Sequence, residues 1–429
     1  MFGNKRCELM QSLNVYCPIK DIKGEITLSG SKSISNRVLL IRALCAEKFE
    51  IFNLSDSDDT ISMEKLISSP DGILDAHHAG TTFRFLTAYF SRKSGTQILT
   101  GSERMKQRPV KALVDALNSL GANIEYLEKN GYPPLKINPP SDSVKNEISL
   151  PANISSQYIT ALLLISPVIP GGLTIRLEGE IVSAPYIEMT IGIMQYFGVK
   201  VDWNGQTLHV AHQTYVPKDY HVEADWSAAS YYYIIAGFSN SADIILKGLH
   251  KNSLQGDAAI AEIANKFSIE TTFNDHEIRI LKPQKSVSPD HFEYNFIKVP
   301  DIAQSISVLC AGLGTHGLFS GLQTLKIKET DRIAALQNEL AKVGVFLNKM
   351  PDRLSKKTGI EYYMQEGKCM SDELNIPEVN TYNDHRMAMS FAPIGLLFPI
   401  RINDPQVVSK SYPLFWKDLG ILGFEIILS

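Results

Sequence analysis

A two-domain α/β protein built from about six repeated helix-and-strand units is the fold class this sequence predicts, and three observations predict it. The first is length, since 429 residues exceed one ordinary hydrophobic core. The second is a recurring pattern in which an amphipathic helix of a few turns ends at a small residue and an alternating strand follows. The third is spacing: the small residues are Gly121, Gly198, Ser268, Gly344 and Gly423, separated by 77, 70, 76 and 79 residues. A glycine there enters the left-handed conformation that ends a helix without a Cβ clash.

The units read in order as "VKALVDALNSLGANIEYL", "APYIEMTIGIMQYFGVKVDW", "GDAAIAEIANKFSIETTF", "ETDRIAALQNELAKVGVFLNK" and "LFWKDLGILGFEIIL". Running the period backwards places a further unit near residue 45. "DDTISMEKLISSPDGILDA" supplies its helix but not its strands, so the first unit is expected to be truncated. Units this long suit supersecondary blocks grouped in threes rather than a solenoid.

Composition excludes several classes. With 44% hydrophobic and 21% charged residues the chain is globular. Five cysteines without C-x-x-C spacing argue against a disulfide frame or a zinc site, and a reducing, cytoplasmic setting is expected. The start lacks a signal-like apolar core, and prolines interrupt the most apolar stretches, so no membrane span is expected. A net charge of −4 gives no reason to expect nucleic-acid binding.

Chemistry gathers in short turns. Lys32 and Arg37 in "SGSKSISNR", Arg84 in "HAGTTFRF", Arg108 in "MKQRP", Lys328 and Arg332 in "KIKETDR", Arg386 in "YNDHRMAM" and Lys410 in "VVSKSYP" each read as a basic residue in a turn before an apolar helix. Helix N-termini with small residues favour anions, arginine forks grip carboxylate or phosphate, and lysine adds a compact charge. "SGSKSISNR" is not a P-loop, because Ser31 separates Gly30 from Lys32. "ISSQY" reads by itself as a helix cap. Asp301 and Glu329 fit either ion-paired scaffolding or proton transfer. Adjacent His77 and His78 read as turn residues, so no metal is expected.

Eight ordered motifs, "SGSKSISNR", "AGTTFR", "RMKQRP", "SSQYITALL", "VSAPYIEMT", "KNSLQGD", "KETDRIAAL" and "TYNDHRMAM", resemble those of the 5-enolpyruvylshikimate-3-phosphate synthase family, from about residue 13 to 425. The resemblance implies an inside-out α/β barrel in two domains, residues 31–222 inserted between 1–30 and 223–429. It implies transfer of the enolpyruvyl group of phosphoenolpyruvate to the 5-hydroxyl of shikimate 3-phosphate, on the shikimate route to chorismate and aromatic amino acids.

Carried over by motif, Lys32, Ser33, Arg37, Ser155, Ser156, Gln157, Ser183, Tyr186, Asp301 and Lys328 would bind shikimate 3-phosphate. Lys32, Gly80, Arg108, Gln157, Arg332, Arg386 and Lys410 would bind phosphoenolpyruvate. Asp301 would take the hydroxyl proton, Glu329 would handle the proton at the phosphoenolpyruvate methylene, and Lys32 would join the catalytic groups. No cofactor, a monomeric enzyme, and glyphosate as a competitor at the Gly80 turn are implied with them. The sequence departs from the family pattern at His78, Phe85 and Thr324 and in a short stretch before Gly80. Two rivals stand beside this reading. A UDP-N-acetylglucosamine enolpyruvyl transferase would usually carry a cysteine in the loop "GSERMKQRPV", and a catalytically impaired anion-binding descendant would bind without turnover.

Overall fold

The computed structural model describes residues 11–69, 72–141, 145–153, 155–371 and 375–429. Ile154, which opens the quoted "ISSQY" segment, lies outside these ranges.

Among the described residues the strands form five four-stranded sheets and one two-stranded sheet. The four-stranded sheets share one pairing scheme. In the sheet formed by Asp21–Thr27, Ser241–Lys247, Glu277–Lys282 and Glu270–Asn274, the first pair is parallel and the next two are antiparallel. The same order recurs in the other four. The two-stranded sheet, Ile51–Phe52 with Tyr220–His221, has only the parallel pair. Relative to its five counterparts it lacks the antiparallel hairpin, and this is the truncation expected from the sequence. The "GILD" segment after its helix is a strand, Gly72–Asp75, but it belongs to the next sheet.

The punctuation holds in detail. Gly121, Gly198, Gly344 and Gly423 have φ of 87°, 81°, 79° and 88°, and Ser268 reaches 58° in the same role. A helix-to-strand reversal requires this backbone at all five places, so the spacing reports true structural repeats.

Helices form the interior. Trp226–Phe238 is apolar almost all round and buries twelve of its thirteen residues, while Asp225 caps its first turn. Ser156–Ile165 and Ala303–Leu313 are similarly enclosed. Strands alternate buried and exposed residues, so each sheet turns one face outward. Apolar side chains fall into two separate cores, one running from Ile34 to Val222 and the other joining Val15–Leu28 to Ala224–Phe424. The chain passes between them twice, and the two passes pair: Ser31 N–H donates to Glu223 O at 2.8 Å and Asp225 N–H to Ser29 O at 3.2 Å. Among the described residues no helix is long and apolar enough to cross a membrane.

Candidate active site

Residues from both cores meet in one cleft, and its centre is a buried arginine. Arg332 opens the helix Arg332–Ala341, capped by Asp331, and is 2% exposed. Its guanidinium reaches three carboxylates: Asp301 at 3.0 Å, Glu329 at 2.8 Å and Asp384 at 2.7 Å. Asp301 also faces Lys328 at 3.4 Å and Arg386 at 3.3 Å. Burial alone would raise the Asp301 carboxyl, but Lys328, Arg386 and Arg332 hold it well below the usual carboxylate range. Glu329 is likewise opposed by burial and held well down by Arg332 and then Arg108. Both acids are therefore ionised in this arrangement.

The Ile34–Val222 half meets this cluster with a different chemistry. Lys32 begins the helix Lys32–Leu44 and lies 3.5 Å from Asp59. Arg37 is the sixth residue of that helix, not part of the turn before it; the helix starts at Lys32, so its side chain points into the interior. It donates to Thr190 Oγ1 at 2.9 Å, Ser33 O at 2.7 Å, Tyr186 O at 3.2 Å and Thr160 Oγ1 at 3.3 Å. With these neutral partners, burial pulls the guanidinium down to about 10. Arg84 corrects the same expectation: it sits inside the helix Gly80–Phe90 and bonds back to Gly80 O at 2.9 Å.

Gly80 itself is a close-approach residue. A Cβ there would stand 2.5 Å from Arg108 Nη1 and 2.8 Å from Arg84 Nη1, so the missing side chain makes room for two guanidinium groups. Arg108 is pulled down to about 10 by burial and the neighbouring Arg84 charge, and its nearest carboxylate is Glu329 of the other half, at 3.8 Å.

Lys32, Ser33, Arg37, Gly80, Ser156, Gln157 and Tyr186 face Asp301, Lys328, Glu329, Arg332 and Arg386 across a cavity of about 60 Å³. Ser155 and Ser183 lie in an adjoining cavity of about 340 Å³ shared with Arg108 and Lys328. Lys410 lines a third with Arg108 and Glu329 and donates to Asn383 O at 2.6 Å. Local backbone sets several of these groups. Ser155 accepts from Gln157 N–H at the start of its helix, and Ser183 is held at φ 57°, a left-handed conformation uncommon for serine. Tyr382 and Asn383 are left-handed in succession, which aims the Asn383 carbonyl at Lys410.

Three departures from the motif pattern find places here. His78 bonds Ser102 Oγ at 2.8 Å, and neighbouring His77 takes a left-handed turn at φ 46°. Phe85 is fully buried with the Arg37 guanidinium 5.7 Å over its ring, and it lines the central cavity together with Gly80 and Thr81. Thr324 shares the 340 Å³ cavity with Ser155, and its buried hydroxyl has no hydrogen-bond partner among the described residues.

Sequence reading passed over several contributors. Asp384 grips Arg332 through both oxygens, Thr81 accepts from Gln157 at 3.0 Å, and Arg104 donates to the carbonyls of Glu329 and Lys328 across the cleft. His385 is 3% exposed, lines the central cavity, and is kept neutral by burial and the Lys32 charge. Asp384, His385 and Arg104 all stand inside quoted motifs; a charged or ring-nitrogen residue flanking an assigned arginine was the available signal.

The family model for EPSP synthase (3-phosphoshikimate 1-carboxyvinyltransferase) matches residues 17–69 and 62–419. The chain is 46% identical over 407 residues to 3-phosphoshikimate 1-carboxyvinyltransferase of Bacteroides fragilis, covering 94% of this chain and 96% of that one. It is 35% identical over 446 residues to the same-named protein of Vibrio atlanticus, covering 96% and 100%. In fold it is similar to EPSP synthase from Acinetobacter baumannii, with a TM-score of 0.77 and 20% identity over 98% of this chain and 100% of that one. On these grounds the chain belongs to the EPSP synthase family.

Proposed function

We infer that this cleft transfers the enolpyruvyl group of phosphoenolpyruvate to the 5-hydroxyl of shikimate 3-phosphate. The observation that carries the reading is the pairing of two ionised carboxylates, Asp301 and Glu329, on one buried arginine, where cations from both halves converge.

Addition comes first. A proton joins the phosphoenolpyruvate methylene, the neighbouring carbon becomes electron-poor, and the 5-hydroxyl oxygen bonds to it as Asp301 takes the hydroxyl proton. Elimination then removes a proton from the new methyl group and expels phosphate, restoring the double bond. Glu329 is assigned the methyl-group proton, with Lys32 beside it. An ionised Glu329 has no proton to give. Incoming phosphate and carboxylate groups compete for Arg332 and Arg108, and a Glu329 relieved of those cations rises toward the range where it can carry one. Substrate binding and acid–base readiness are coupled through the same arginines.

Shikimate 3-phosphate is assigned to Lys32, Ser33, Arg37, Ser155, Ser156, Gln157, Ser183, Tyr186, Asp301 and Lys328. Phosphoenolpyruvate is assigned to Lys32, Gly80, Arg108, Gln157, Arg332, Arg386 and Lys410, and glyphosate is its competitor there. The two apolar cores support a division into residues 31–222 and residues 1–30 with 223–429. The active form is a cytoplasmic monomer. Ordering two polyanions against fixed cations supplies the electrostatic and positional part of the rate enhancement.

Phosphate release tests the reading: it should require both substrates together, with UDP-N-acetylglucosamine unable to replace the shikimate acceptor. Binding of both without phosphate release would instead identify an impaired anion-binding protein.

A further inference from the structure

Asp257 is a buried acid beside the cleft that the reaction leaves unassigned; Asp59, paired with Lys32, and Asp384, paired with Arg332, are the others described above. It sits in the short turn Gly256–Ala259 and is 4% exposed. The Tyr186 hydroxyl lies 3.3 Å from Asp257 Oδ1 and 3.0 Å from Asp301 Oδ2, so one phenol stands between two carboxyl groups. A phenol has one proton to donate. If that proton goes to Asp301, the phenol oxygen presents a lone pair to Asp257, and a protonated Asp257 makes the contact favourable. Asp301 is the wrong partner to be protonated, because Arg332, Arg386 and Lys328 stand within 3.4 Å of it.

The surroundings of Asp257 say what controls it. Its second oxygen accepts from the Ser227 hydroxyl, which in turn accepts from Arg386 at 3.3 Å. The charged groups facing it are Asp301, Arg386 and Asp225; burial and the Asp301 charge push the carboxyl up to about 6, and Arg386 opposes them. A substrate anion that occupies the Arg386 fork weakens that opposition.

We propose that Asp257 takes up one proton from solvent as phosphoenolpyruvate binds, donates it in a hydrogen bond to Tyr186, and thereby fixes the phenol proton on Asp301. The proposal rests on the assignment of Arg386 to phosphoenolpyruvate. No bond to substrate forms at Asp257, and the proton returns to solvent when the site empties. Asp257 is a positioning residue that acts through Tyr186. The sign is fixed by linkage: proton uptake on binding makes affinity rise as pH falls, by up to about tenfold per pH unit above the free-enzyme value.

The test uses Glu329→Gln enzyme saturated with shikimate 3-phosphate, titrated calorimetrically with phosphoenolpyruvate near neutral pH in buffers of different ionisation heat. Uptake of roughly 0.5–1 proton per site is expected, falling to near zero when Asp257→Asn is added. Binding without buffer-dependent heat, or uptake that survives Asp257→Asn, overturns the proposal and leaves the transfer reaction standing. With Glu329 intact, the Michaelis constant for phosphoenolpyruvate should fall more steeply between about pH 8 and about pH 7 in the wild type than in Asp257→Asn, and equal pH dependence in the two overturns the proposal. Failure of phosphoenolpyruvate to bind at all would overturn the functional reading and this inference with it.

Discussion

Arg37 and Arg332 are both almost fully buried, one in each core, yet their surroundings are opposite. Arg37 meets hydroxyls and carbonyls, and burial pulls it down to about 10. Arg332 meets three carboxylates whose charges outweigh burial and raise it above the ordinary arginine range. Arg108 follows Arg37, and Arg386 follows Arg332. Apart from Lys32, which meets Asp59 at 3.5 Å, the Ile34–Val222 half thus offers cations with little internal compensation, and the other half offers cations already paired with the acids that the chemistry needs. Anions drawn to the first set must displace carboxylates from the second.

The largest expected effect comes from breaking the acid side. Glu329→Gln keeps the shape but cannot carry a proton, and turnover should fall about 10²–10⁴-fold while substrate dissociation constants change far less. Steady-state rates set against calorimetric binding check this, and equal losses would make Glu329 scaffolding.

Removing the paired arginine comes next. Arg332→Met strands three carboxylates, and unfolding free energy should drop by about 3–5 kcal/mol. The same pairing predicts acid sensitivity. Asp301 and Glu329 are held below their ordinary values, so their contribution is full above about pH 5 and is lost as pH falls through the folded-state values. Hydrogen exchange on acidification should therefore loosen the Ala224–Phe424 core around the cleft before the Ile34–Val222 core; the reverse order would contradict the contrast.

Gly80→Ala tests the uncompensated set by pushing a methyl group into the Arg108 and Arg84 guanidinium groups. A misplaced fork can cost up to about 10²-fold, and the loss should appear as weaker phosphoenolpyruvate binding with kcat less affected. Since the wall displaced is arginine, glyphosate should weaken together with phosphoenolpyruvate, in proportion to their shared use of Arg108. Arg37→Met has neutral partners to lose and should destabilise by only about 1–3 kcal/mol, with shikimate 3-phosphate affinity falling more than that of phosphoenolpyruvate. EDTA should change turnover least, because cationic side chains already supply the charge that a metal would bring.

Much of this was legible because it is periodic or local. The left-handed ends at Gly121 to Gly423 follow from spacing, and the missing hairpin of the first unit follows from a shortfall in length. The acids and arginines stood out as charges within small-residue turns. Helix register was harder to read: Arg37 and Arg84 were expected in turns, since nothing in "SGSKSISNR" or "HAGTTFRF" reports where the first helical hydrogen bond closes. Partnership was harder still. Asp384 and Asp257 lie 52 and 129 residues from Arg332 and Arg386, and only tertiary packing brings each to its partner.

The exchange of carboxylates for substrate anions is tested most directly at the carbon that receives the proton. With both substrates in D₂O, enzyme stopped before completion should return phosphoenolpyruvate and product carrying deuterium on the methylene carbon, read by NMR or mass spectrometry, because a methyl group forms and loses a proton in each cycle. Glu329→Gln should suppress that incorporation to the extent that it suppresses turnover. Product formed by the wild type with its methylene hydrogens unexchanged would contradict the account.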